Sequence, residues 1–121
     1  MDKEIILFNK GINCFNDKSF YDAHEYWEDL WLNYKLSDAL FIQGLIQLAV
    51  SFFHYYNGNL KGAKSMLKKC LGKFDAYDFQ RGIDVIDLIS RIERLQKRYS
   101  EIDDTSYNID SYIFRLKVKD E

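Results

Sequence analysis

The sequence predicts an all-α, single-domain bundle of about five helices, on three observations. Proline is absent from the 121 residues and glycine occurs only six times, so little in the chain forbids a helix. Apolar residues make up 47% and charged residues 30%, which suffices for one buried core and, at this length, not for two. Apolar residues also recur at three- and four-residue intervals through five successive stretches.

The first stretch spans about residues 3–16, with Ile5, Phe8, Ile12 and Phe15 as its inner stripe. Asn16-Asp17-Lys18-Ser19 reads as a turn, with Ser19 or Asp17 as cap. A second helix from Phe20 to Asn33 turns Phe20, Ala23, Trp27, Leu30, Trp31 and Tyr34 inward. Ser37 or Asp38 caps the third, which is apolar nearly all round and is expected to be the most buried. Asn57-Gly58-Asn59 stops it, because Gly and Asn tolerate the left-handed conformation that ends a helix.

The fourth helix carries Leu60, Ala63, Leu67, Cys70, Leu71 and Phe74 on one stripe, and residues 75–83 form a loop broken at Gly82. The fifth runs from about Asp84 to Ser100 with Val85, Ile89, Ile92, Leu95 and Tyr99 inward. The period then changes: Tyr112, Phe114, Leu116 and Val118 alternate with Ile113, Arg115, Lys117 and Lys119, as in a strand. A lone strand must pair, for instance with its copy in a second molecule; an irregular tail packed on the bundle fits equally. Deleting residues 108–121 distinguishes the first case, turning a dimer into a monomer. Ala23, Trp27, Leu30 and Trp31 also echo Ala63, Leu67, Cys70 and Leu71, which suggests two stacked helical hairpins of tetratricopeptide type.

Composition narrows the function. The net charge of −2 gives no general attraction to nucleic acid or anionic membrane. Ala39 to Leu60 carries no Asp, Glu, Lys or Arg, yet Gln43, Gln47, Ser51 and His54 share one arc, which suits a central bundle helix better than lipid. Two cysteines, Cys14 and Cys70, and a polar start at Asp2-Lys3-Glu4 point to a reducing cytoplasm without a signal peptide. The lysines of the fourth helix and the arginines of the fifth read as solvated faces. No nucleophilic triad, phosphate-binding glycine loop or reactive Cys–His neighbourhood is legible.

One constellation carries chemistry. His24 and Glu28 stand at i and i+4 on one side of the second helix, with Glu25 further out. Placing the turn to the third helix at residue 35 sets Gln43 beside Glu28 and Gln47 beside His24. Trp27 and Trp31 then frame a polar pocket between helices 2 and 3. Such a cluster binds a small polar ligand, acts as acid and base, or fixes the register of two helices. It is a poor metal site: His54 lies roughly 10 Å beyond Gln47 along the helix, packed against Gly62 instead, and one His with one carboxylate does not make a zinc set. No cofactor is implied.

The run Phe20-x-x-Ala23-His24-Glu25-x-x-Glu28-x-x-Trp31, then Phe41-x-Gln43-Gly44-Leu45-Ile46-Gln47-Leu48-Ala49, then Gly58-Asn59-x-x-Gly62-Ala63, resembles the domain of unknown function 309 family. Gly11 and Gly82-Ile83-Asp84 extend the resemblance over about residues 8–90. It implies a compact, cytoplasmic helical bundle of bacterial, archaeal or plastid type. It brings no activity to transfer, and residues 100–121 fall outside it. The functional expectation is a cytoplasmic binding or interaction module built on His24, Glu28, Gln43 and Gln47, with a protein partner, a second copy or a small polar ligand. The alternative is a small enzyme, such as a hydrolase, with His24 as base, Glu28 orienting it and the glutamines holding a substrate oxygen.

Overall fold

The computed structural model describes residues 2–119 and consists of five helices with one small hairpin. They are α1 (Lys3–Asn16), α2 (Phe20–Asn33), α3 (Ala39–Tyr56), α4 (Leu60–Phe74) and α5 (Val85–Ser100). The strands β1 (Phe79–Gln80) and β2 (Ile83–Asp84) pair antiparallel, and one 3-10 turn covers Asp110–Tyr112. The all-α bundle is thus the observed fold. Successive helices pack as hairpins, α1 on α2, α2 on α3 and α3 on α4, with α5 against α4. Ala23, Trp27 and Leu30 of α2 and Ala63, Leu67 and Cys70 of α4 are all fully buried.

α3 is the centre. Nine of its residues are buried, and Ser51, on its polar arc, donates to Ala63 O of α4 at 2.7 Å. With a mean hydropathy of 1.3 over 18 residues it is long and apolar enough to cross a membrane, but its apolar side is spent on neighbouring helices.

The caps differ in part from expectation. Asp2 caps α1 through Glu4 N–H, Asn59 caps α4 through Gly62 N–H, and Asp84 caps α5 through Asp87 N–H. Ser19 and Asp38 occupy the cap positions of α2 and α3 without a capping side-chain bond. Asp38 instead receives a fork from Arg81 (Nε to Oδ2 2.6 Å, a terminal nitrogen to Oδ1 3.0 Å) and a bond from Gln80 (2.9 Å). Burial alone would raise its carboxyl, but the hydrogen bonds of Arg81 and Gln80 and the Arg81 charge together hold it below the ordinary carboxylate value.

This contact locks down what reads from sequence as loop 75–83. Arg81 (φ 52°) and Gly82 (φ 81°) are the two central residues of a tight hairpin turn, the geometry that matches strand twist. Arg81 also lies over the Phe8 ring at 5.1 Å. Ile5 and Trp31, expected inside, are exposed, and in α5 Leu88 rather than Ile89 is fully buried.

The C-terminal segment is the irregular tail, not a strand. It inserts Ile109, Phe114 and Leu116 into the core, with Phe114 5.7 Å from the Phe52 ring. Each such burial contributes about 1.5–3 kcal/mol.

Gly11 of α1 faces Trp27 of α2. A Cβ on Gly11 would collide with the indole ring itself, while Trp27 is fully buried and its Nε1–H donates to Phe8 O at 3.2 Å. Gly11→Ala therefore costs about 2–3 kcal/mol through overpacking, despite the better helix propensity of alanine. Gly72, in α4, has open space where a Cβ would stand, so Gly72→Ala stabilises by about 0.5–1 kcal/mol. Thermal unfolding of the two variants shifts in opposite directions; a stable Gly11→Ala protein contradicts this packing.

Candidate functional site

α2 is set by Trp27 and Leu30, which point into the core, and this leaves His24 and Glu28 at the edge facing α3. The His24 ring is 20% exposed and Glu28 is 48% exposed. Nε2 of His24 meets Glu28 Oε2 at 3.1 Å, and Nδ1 meets Tyr21 O at 3.1 Å. A carbonyl and a carboxylate only accept hydrogen bonds, so a neutral ring donates to one of them at a time, to Tyr21 O through Nδ1 or to Glu28 through Nε2.

The partners across the helix seam differ from the expected ones. His24 lines a cavity of about 160 Å³ with Tyr21, Val50, Phe53 and His54. Phe53 is shared with a neighbouring cavity of about 270 Å³ that also takes in Lys18, Phe20 and Tyr56. A third, shallow depression of about 400 Å³ runs down α2 through Tyr21, His24, Glu25, Glu28 and Leu32. Gln43, Gln47, Trp27 and Trp31 line none of these three.

Two physical reasons account for the shift. The residues between α2 and α3 are 34–38, so the mirror point is residue 36, and moving it by one residue moves every partner by two. Side chains on a helix also lean towards its N-terminus, which on α2 means towards the end of α3. His24 therefore reaches residues 50 and 54. His54 does pack against Gly62, whose added Cβ would stand 3.0 Å from His54 Cδ2, and Asn59 Nδ2 lies 3.4 Å from its Nδ1.

Gln47, two turns before His54, has no hydrogen bond to His24, and its Oε1 is buried without a partner. Trp27 is a core residue, and Trp31 is 38% exposed beside the cluster rather than over it. Sequence reasoning missed Tyr21, Val50 and Phe53. Tyr21 stands one turn before His24, and the two α3 residues lie on that helix's outward stripe, so spacing alone could have found them. Burial pushes the Cys70 thiol up to about 12, and burial with Asp22 and Asp17 nearby raises Cys14, which makes both poor nucleophiles. Among the described residues no group of three or more His, Cys, Asp or Glu is placed to hold a metal ion.

An unpartnered buried oxygen costs roughly 1–3 kcal/mol. Gln47→Met keeps the volume and removes that oxygen, so it raises the thermal midpoint in differential scanning calorimetry; a lower midpoint would show that the amide is satisfied.

The comparisons with known proteins cover the same helices. No curated protein matches the chain. The matched span begins at residue 8 as the motif spacing implies, ends within α4 short of Gly82-Ile83-Asp84, and contains the whole His24 neighbourhood. Residues 8–66 match the family model described as Domain of unknown function (DUF309), and over that span the chain is similar to this family.

Proposed function

We propose that this protein is a cytoplasmic interaction module that works by non-covalent binding, and that its contact surface is the α2–α3 face around His24. The observation that carries this reading is the pairing of both His24 nitrogens with acceptors, Tyr21 O and Glu28. A general base needs a free nitrogen within reach of the proton it removes. Both His24 nitrogens lie against groups of their own helix rather than open to a substrate, so the ring shapes a surface and holds Glu28 in place, which speaks against the hydrolase alternative. As an exposed i, i+4 pair it contributes only about 0.2–0.5 kcal/mol to the fold.

The surroundings support binding. Tyr21, Leu32 (63% exposed) and Leu40 (52% exposed) present apolar surface on these two helices. α2 adds Asp22, Glu25, Glu28 and Asp29 and contains no Lys or Arg. Exposed apolar side chains set among acidic ones fit a protein surface that is itself apolar and basic. Gln43 and Gln47 lie on the neighbouring α3 stripe, outside the cavity itself, and belong to this proposal as the flank of the face.

A photo-reactive benzoylphenylalanine at Leu32 or at Ile86, an exposed position on α5, tests this in cells. The expected result is one discrete cross-linked species from position 32, lost on adding Glu25→Lys with Glu28→Lys, and none from position 86. No species at 32, or the same pattern at both, contradicts the reading.

A further inference from the structure

The C-terminal residues 113–119 run along the bundle without a bend or a partner strand. One side-chain amide holds Leu116 as a neighbouring strand would: its N–H donates to Asn16 Oδ1 at 2.7 Å and its carbonyl accepts from Asn16 Nδ2 at 3.0 Å. Three residues on, Lys119 N–H donates to Gly82 O in the hairpin turn at 2.8 Å. Successive residues of an extended chain aim their backbone groups at opposite edges. The Leu116 edge therefore faces α1, and the edge of Arg115, Lys117 and Lys119 faces the hairpin.

Among the described residues of the segment, Lys119 alone pairs with the hairpin. Between residues 113 and 119 the segment and β2 flank a cavity of about 500 Å³, with half-buried Ile113 in its apolar lining and the core residues Ile83, Leu88 and Leu116 beneath. That volume is in the range of real ligand sites. Among the described residues, the backbone N–H and C=O of Arg115 and Lys117 have no hydrogen-bond partner. The cavity's two acids are occupied: Asp84 caps α5, and Asp87 holds Arg91 at 2.8 Å. No carboxylate among the described residues pairs with Arg115, Lys117 or Lys119.

We propose that this slot, separate from the α2–α3 face, binds a short extended peptide of net negative charge. The peptide adds as a strand to the 115–117 edge, sets alternate apolar side chains on the floor and directs its carboxylates to Arg115, Lys117 and Lys119. A free inorganic anion would use the cations but neither the apolar floor nor the open backbone edge.

The test uses the whole protein and a fluorescein-labelled hexapeptide alternating leucine and glutamate, read by anisotropy and by amide NMR shifts. Binding should move amides of residues 83–91 and 113–119 and be about tenfold or more tighter than that of the leucine–lysine counterpart. N-methylation of alternate peptide amides should weaken it by a similar factor, as should Lys117→Glu. Arg115 also donates to Asn16 O, so Arg115→Glu serves only if its thermal midpoint is unchanged. No binding, equal binding of both peptides, indifference to N-methylation, or shifts confined to other residues would overturn the proposal. So would a concentration-dependent dimer whose slot the peptide cannot enter, since a second copy would then be the occupant.

Discussion

The seat of Trp27 against Gly11 is the constraint on which the arrangement of α2 depends. An indole is the largest side chain to bury, and its N–H must find an acceptor once inside. Here the missing Cβ of Gly11 makes room for the ring, and Phe8 O accepts its proton. The contact fixes the distance between α1 and α2 and the rotation of α2 about its axis. Rotation is what places a helical residue: with Trp27 inward, His24 and Glu28 can only occupy the margin next to α3.

From that margin the site inherits its character. His24 is neither sealed nor free. Its ring nitrogens lie against a backbone carbonyl and a carboxylate of the same helix, while Tyr21 and Phe53 supply aromatic walls. At the far end of the molecule a different ion pair does comparable work. The buried Asp38 takes the Arg81 fork and ties the hairpin to the start of α3, and the hairpin in turn anchors Lys119. The tail is thereby held open along one edge, which is what leaves a slot beside it.

Much of the fold was legible because long amphipathic periods dominate the chain. Helix ends at Asn16, Asn33 and Tyr56 follow from turn chemistry and from Gly58, whose φ is 82°. The hairpin was not legible, since two residues per strand show no period. Nor was the fate of Asp38, because a cap and a buried ion pair ask for the same residue type. The site was half legible. Spacing placed His24 with Glu28 correctly, since both stand on one helix. The partners on α3 depended on a loop centre known only to within a residue and on the lean of side chains towards each helix's N-terminus, which together move Gln47 out and Val50 and His54 in. The alternating tail misled for a related reason: burying Phe114 and Leu116 on one side imposes a period of two whether or not a neighbouring strand exists.

The packing account is tested most directly by hydrogen exchange of the two indole N–H groups, followed by NMR after transfer into heavy water. Trp27 and Trp31 are the only tryptophans, and the structure makes them opposites, one fully buried and hydrogen-bonded, the other 38% exposed. One indole signal should persist until the protein opens globally, and the other should vanish at once. Prompt loss of both would mean that Trp27 is not seated against Gly11, and the orientation of α2 argued from it would fail.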